Sequence, residues 1–503
     1  MQKLILFLLL ASSSVPAQKI NSVHQIEKDY FSRSIPNTLQ RSLSLEKSSS
    51  GKANNLTKAV FGFLPYWEYL NGVHHNIRYD LLSHIAIAFF ECDGEGKITD
   101  PTGWPWYDVI GTARANNVKL IMTVANFKSD QIHKLLTNQT SRQTLLNNVL
   151  ARMNSYSFDG VNIDFENLAG GDEAGLINEF MAALTAFIKQ NKSSSEISFD
   201  SPVVNFAGWN FKGLADACDY LFIMAYDFYG SWSSTTGPSS PLTGTSYSVT
   251  SSLSNDYNLV PPGKLILGVP YFGNYWRTNS KEPYTPVVPY DSNKTDNNWV
   301  KPALRYGEIF SQYSSKEKMW DDISKTPWLR WGQDTIWNQI WYDDESSLAL
   351  KYDEVNKKLL KGAGIWALGY DDGRRELWNL IETKFTHPAA VETSHPVLPS
   401  NFELSQNYPN PFNPSTVISY RIEVAGSVSL KVYDVLGKEI ATLVDEFQAP
   451  GRYNYQFSIP DRLETPSAAF LSSGIYFYRI KVAGLSAGER IYFDVTKKMS
   501  FLK

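Results

Sequence analysis

Residues 158–167 read Phe158-Asp159-Gly160-Val161-Asn162-Ile163-Asp164-Phe165-Glu166-Asn167. Side chains on a strand alternate between its faces. Asn162, Asp164 and Glu166 therefore point one way, and Val161, Ile163 and Phe165 point the other. The apolar set reads as a buried strand. A row of carboxylates on one side of such a strand is costly unless that side lines a site. Neighbouring like charges also disfavour ionisation, which is one way a carboxyl acquires the raised pKa of a general acid.

Outward from this strand, short apolar runs alternate with helix-like segments. The runs are Ala59 to Tyr66, Leu82 to Phe90, Lys119 to Val124, Gly160 to Glu166, Ile197 to Pro202, Tyr220 to Tyr226, Leu265 to Pro270 and Gly364 to Leu368. Between them lie amphipathic stripes such as Ile177, Phe180, Met181, Leu184, Phe187 and Ile188. Continuous apolar strands separated by helices predict a parallel sheet covered on both faces. Eight such units predict an α/β fold of the (β/α)8 TIM-barrel type. The alternative is an open doubly wound sheet, but no Gly-rich phosphate loop follows the first run. In a barrel, chemistry sits on the rim where strands end. Tyr66, Phe90, Glu166, Tyr226, Asp227 and Trp366 all fall at or near strand ends. The long stretch between Phe272 and the helix near Ser346 needs its own structure. It reads as an α+β insertion over about residues 276–345, before the last strand, walling the cleft. Most of its aromatics serve that lobe's core, with Trp341 or Tyr342 expected as exceptions facing the cleft, because they lie just before the eighth unit.

The run from Asp159 to Glu166 resembles the Asp-Gly-x-Asp-x-Asp-x-Glu signature of family 18 glycoside hydrolases, the chitinases and their relatives. Asp159, Gly160, Asp164 and Glu166 match it, and Asn162 stands where the family usually has Asp. Met224-Ala225-Tyr226-Asp227 is similar to the family's sixth-strand motif. The resemblance implies a retaining hydrolase of β-1,4-linked N-acetylglucosamine polymers that uses the substrate's own N-acetyl oxygen as nucleophile, an exception to the two-carboxylate scheme. It implies Glu166 as general acid, Asp164 on the acetamide N–H, Tyr226 on the acetamido oxygen and Asp227 on the sugar. Trp366 would floor the cleavage point. Tyr66, Phe90, Trp232 and Tyr271 are candidates for the pocket wall, with a core role equally open. Asn162 cannot ionise and so cannot share proton traffic as an Asp would. It leaves a shifted pH profile or a different polymer, such as peptidoglycan or an N-glycan core, as readings. A silent sugar-binding lectin on the same barrel is a third reading.

The remaining features bound the class. The chain has 503 residues, enough for two or three domains, and a net charge of −4, which gives no footprint for nucleic acid. Residues 1–17 read as a secretory signal peptide. Residues 18–57 are polar with little periodicity and predict a mobile leader. The catalytic barrel is expected over 58–385 and a linker over 386–401. Residues 402–503 show alternating runs separated by turn signals, which predicts an all-β, immunoglobulin-like sandwich. This last segment resembles the sorting domains read by the type IX (Por) secretion system. It carries Gln406-Asn407-Tyr408-Pro409-Asn410-Pro411-Phe412-Asn413-Pro414, Gly474-Ile475-Tyr476-Phe477-Tyr478 and a terminal Thr496-Lys497-Lys498-Met499. Cys92 and Cys218 are expected on opposite rims as free thiols. No cofactor or metal is expected, since the His residues lack ligand spacing. A secreted or surface-exposed monomer is expected, with an N-acetylglucosamine-containing polysaccharide and the type IX machinery as partners.

Overall fold

The computed structural model describes residues 22–33, 55–244, 247–288, 303–386, 402–422, 424–435, 438–458, 472–486 and 489–502. The expected signal peptide and nearly all of the expected linker fall outside these. The chain divides into two compact units, Met1–Ala389 and Ala390–Lys503.

In the first unit eight parallel strands close on themselves. They are β1 (Ala59–Pro65), β2 (His84–Cys92), β3 (Lys119–Asn126), β4 (Gly160–Phe165), β5 (Glu196–Pro202), β6 (Tyr220–Met224), β7 (Leu265–Pro270) and β8 (Gly362–Trp366). β1 pairs with both β2 and β8, which removes every edge. All six residues of β4 are buried, as expected of a strand covered on both sides. Gly160 is there because β5 passes too close for a side chain. A Cβ at that position would come 2.4 Å from the Glu196 carbonyl oxygen. The barrel interior is filled from below by aromatic rings. Phe63 and Phe61 lie 4.9 and 5.6 Å from the Phe222 ring. The carboxylates of β4 thus stand on an apolar floor, which strengthens every charge interaction above it.

Between β7 and β8 the expected lobe is present. Among the described residues it is a five-stranded antiparallel sheet with one helix, Tyr306–Tyr313. Its own small core is Trp276, Trp328 and Trp341. Cys92 and Cys218 are buried and free, and burial is the main force raising each thiol, Cys92 to about 12.

Among the described residues the second unit is all-β, with one sheet of three strands and one of four. Alternating burial along Ser415–Ile422 places Ile418, Tyr420 and Ile422 in its core with Leu430, Tyr478 and Ile480. Asn407 of the Gln406–Thr416 segment is buried, and its amide donates to Thr416 Oγ1 at 2.9 Å.

One expectation fails. Within the leader, Val23–Arg33 is a helix, α1, packed on the barrel rather than a mobile tail. Its side chains meet the barrel through His24, Glu27, Lys28 and Phe31, spaced for one helical face. That stripe mixes charge with aromatics, so it carried no apolar periodicity. The legible signal was Ser22-x-x-Gln25, a capping-box spacing. The Ser22 hydroxyl indeed accepts the Gln25 N–H at 3.2 Å.

Candidate active site

The alternation of β4 delivers Asn162, Asp164 and, just past the strand, Glu166 to one side. Asp200 arrives on β5, Tyr226 and Asp227 follow β6, and Trp366 closes β8. These groups meet around one imidazole. His24 Nδ1 lies 3.0 Å from Asp164 Oδ2 and 3.2 Å from Glu166 Oε1. Its Nε2 lies 2.9 Å from the Tyr226 hydroxyl. Its ring stacks on Trp366 with centroids 3.7 Å apart. A single small ring therefore gauges the distances between the acid, the aspartate, the tyrosine and the indole.

Burial dominates the electrostatics. It pushes the Glu166 carboxyl up to about 7, and the Asp164 charge pushes the same way, against His24. Asp227 is likewise raised to about 7 by burial, although the Val23 N–H donates to it at 2.7 Å. Its φ of 64° is in the left-handed region, the kind of backbone cost that is tolerated at working sites. Burial would lower the His24 imidazole. The Asp164 charge, with hydrogen bonds to Asp164 and Glu166, outweighs that and holds it well above its ordinary value.

Beneath them lies a second carboxyl. Asn162 donates to Asp200 Oδ2 at 2.7 Å and accepts from Ser198 Oγ at 2.7 Å. Burial, then the Asp164 charge, raises Asp200 well above the usual carboxylate range. One atom each of His24, Asp164 and Asp200 lie within 4.8 Å of one another. Asp164 Oδ1 and Asp200 Oδ1 have no hydrogen-bond partner among the described residues. A proton held between two such carboxyls would satisfy both.

The family model for glycosyl hydrolases family 18 matches residues 59–371. The chain belongs to family 18 of the glycosyl hydrolases. A second model, for the secretion system C-terminal sorting domain, matches residues 406–492. The "Probable endochitinase" of Caenorhabditis elegans is 26% identical over 335 residues, covering 58% of this chain and 52% of that one. The chain spans between about half and two-thirds of the length of such curated relatives. Among solved structures, a GH18 chitinase from Cycas revoluta in complex with (GlcNAc)3 has a TM-score of 0.57 at 22% identity. That match covers 65% of this chain and 99% of that one. The Bacillus megaterium spore cortex-lytic enzyme SleL has a TM-score of 0.53 at 20% identity, covering 67% and 76%. These two likenesses speak for the fold.

Of the residues expected at this family 18 site, Asn162, Asp164, Glu166, Tyr226, Asp227 and Trp366 converge. Met224 ends β6, half-buried beside them in sequence. Asp159 and Gly160 are structural: Asp159 Oδ2 accepts the Leu120 N–H at 2.8 Å and ties the start of β4 to β3. Tyr66 is half-buried at the end of β1, edge-on to Trp67. Three others lie elsewhere. Phe90 packs against Trp104 and Phe158 in the layer behind the strands. Tyr271 is fully buried, with Tyr352 and Asp371 as neighbours. Trp341 stacks on Trp328 at 5.2 Å inside the lobe, and its indole N–H is taken by Gln339. Trp232 is half-buried with its ring over Gly230. The β2 ring beside Trp366 is Phe89, stacked at 5.8 Å, one residue from the expected Phe90. The strand alternation around Ala88 to Phe90 is irregular, since the β2–β3 register shifts between Ile87 and Phe90. Sequence spacing alone thus selected the wrong neighbour. Asp200 was also missed, because it sits inside a strand that read as apolar.

Proposed function

We propose that the barrel hydrolyses β-1,4-linked N-acetylglucosamine polymers, chitin or its oligosaccharides, with retention and with the substrate's acetamido oxygen as nucleophile. One observation carries the reading: Asp164, Glu166, Tyr226 and Trp366 all contact one five-membered ring. In the reaction that space takes the acetamido group. Glu166, whose carboxyl the neighbouring Asp164 charge pushes upward, gives its proton to the glycosidic oxygen as the C1–O bond breaks. The acetamido oxygen closes on C1 and forms an oxazolinium ion. Asp164 accepts its N–H and offsets the positive charge. Water then attacks C1 as Glu166 takes back a proton, and the ring reopens to the N-acetyl sugar. Trp366 supports the apolar face of the pyranose.

Asp200 supplies what Asn162 lacks. Its raised carboxyl holds a proton against Asp164 and is kept in register by the Asn162 amide. The C-terminal unit directs the chain to type IX secretion, hence to the cell surface or outside.

The test is product analysis with graded N-acetylglucosamine oligomers, colloidal chitin and murein, using the intact chain and one in which α1 is loosened by Glu27→Ala. Release of chito-oligosaccharides with β-anomers first, and a loss of about 10²–10⁴-fold in Glu166→Gln, is the expected result. Release from murein alone would move the substrate to peptidoglycan, and release from nothing would refute the assignment.

A further inference from the structure

Helix α1 occupies the place assigned above to the sugar, and it does so with a matched set of groups. The Val23 N–H, an unpaired donor of the helix N-terminus, goes to Asp227. His24 meets Asp164, Glu166, Tyr226 and Trp366. Glu27 is buried and takes the Trp366 indole N–H at 2.8 Å and the Tyr370 hydroxyl at 2.7 Å. Phe31 stacks on Trp67 at 4.9 Å, under the Arg305 guanidinium. At the flank the Asn167 amide donates to Gln25 at 2.9 Å, and Lys28 pairs with Glu91 at 2.7 Å. With the helix seated, Asp164, Glu166, Tyr226 and Trp366 are all buried.

The fit at His24 is chemical as well as steric. A protonated imidazole is a flat, cationic, five-membered ring with an N–H on either side of one carbon. The oxazolinium ion is a flat, cationic, five-membered ring with one N–H and one ring oxygen similarly placed. Asp164 faces the Nδ1 side, as it would face the acetamide N–H, and Trp366 lies beneath. The Tyr226 hydroxyl meets the second nitrogen, the position of the ring oxygen.

We propose that α1 is an intramolecular inhibitor of the cleft, and that His24 within it imitates the cationic intermediate; the second half rests on the reaction proposed above. Chain with α1 seated is latent, and activity requires that residues 22–33 be cut away or displaced. The helix does not fill the whole cleft. A cavity of about 310 Å³ remains beside it, lined by Gln25, Lys28, Glu91, Asn126 and Gln131 among others. A long oligosaccharide entering there would compete with the helix from one end.

The experiment compares the full chain with Glu27→Ala and Phe31→Ala, neither of which alters a barrel residue. Rates are read on a fluorogenic chitotrioside, and amide hydrogen exchange of residues 23–33 is read with and without chitotetraose. The expected result is a rise in kcat/KM of at least about tenfold in Glu27→Ala. Faster exchange of α1 should accompany it, and chitotetraose should speed exchange in the parent chain. A synthetic peptide of residues 18–36 added to the variant should restore inhibition, and the same peptide with His24→Ala should not. If parent and variants hydrolyse the substrate equally and α1 exchanges like an open chain, the inhibitor is refuted while the hydrolase stands. If α1 is protected and Glu27→Ala releases it, yet no chain cleaves or binds any N-acetylglucosamine oligomer, the occupied cleft stands. The imitation and the proposed reaction then fall together.

Discussion

Replacing His24 with Ala isolates the central joint between helix and barrel. The change removes a hydrogen bond to Asp164 at 3.0 Å, one to Tyr226 at 2.9 Å and the 3.7 Å stack on Trp366. A charge-assisted bond contributes about 2 kcal/mol, a neutral one about 1, and the stacked pair about 1. Against this gross figure of about 4 kcal/mol stands the desolvation of imidazole and carboxylate when the helix seats, which takes back about 1–2 kcal/mol. The net loss is about 2–3 kcal/mol, or a shift of roughly 30- to 150-fold toward the released helix. Hydrogen exchange of residues 23–33, followed by mass spectrometry at fixed pH, reads that ratio directly. His24→Phe, which keeps a stacking ring without its N–H groups, should fall between Ala and the parent. Protection unchanged within about threefold in His24→Ala would mean that Glu27 and Phe31 hold the helix alone, and the reasoning about the imidazole would be wrong.

Three further outcomes are expected. The seated helix should loosen as pH rises. Burial raises Glu27, Glu166 and Asp227 to about 7 and lifts Asp200 well above the usual carboxylate range, and His24 is held well above its ordinary value. Of these groups, His24 is the one raised by contacts that exist only with the helix seated, those to Asp164 and Glu166. Stability from His24 is therefore complete below its ordinary pKa and lost as pH climbs through the raised one, and the carboxyls add repulsion once ionised. Asp164 and the Lys28–Glu91 pair also face the helix, while Arg305, Tyr226 and Tyr370 keep their protons throughout, so faster proteolysis of α1 at pH 9 than at pH 6 is the expected result, and the reverse order would contradict it. Asp200→Asn should lower kcat about tenfold and change the shape of the pH profile, with KM for a trisaccharide within about twofold; an unaltered profile would remove Asp200 from the proton path. Lys351→Ala strands the buried Asp343 carboxylate beside the last barrel strands and should destabilise the first unit by about 3–5 kcal/mol, seen as a lower calorimetric midpoint with the cleft chemistry untouched.

How much of this was legible before folding follows from the range of each interaction. Apolar runs eight times repeated, and Asp164 and Glu166 two residues apart on one of them, are local patterns, and the backbone period alone puts those carboxyls on one side. Tyr226, Asp227 and Trp366 could be placed on the same rim because a parallel barrel sends every strand end to one face. Phe89 in place of Phe90 depended on a register shift between two strands, which no single strand's sequence encodes. The lobe tryptophans looked alike in sequence, and only the packing of Trp276, Trp328 and Trp341 against each other took Trp341 out of the cleft.

The sequence by itself determined the barrel, the acid and its neighbouring aspartate, because short-range alternation and hydrophobic periodicity are written residue by residue. Only the tertiary structure decided that Asp200 stands under Asn162 and that a polar leader is a helix lying in the cleft. Those contacts join residues 38 to 343 positions apart, and their stabilisation arises from mutual burial, which exists only once the chain has closed on itself.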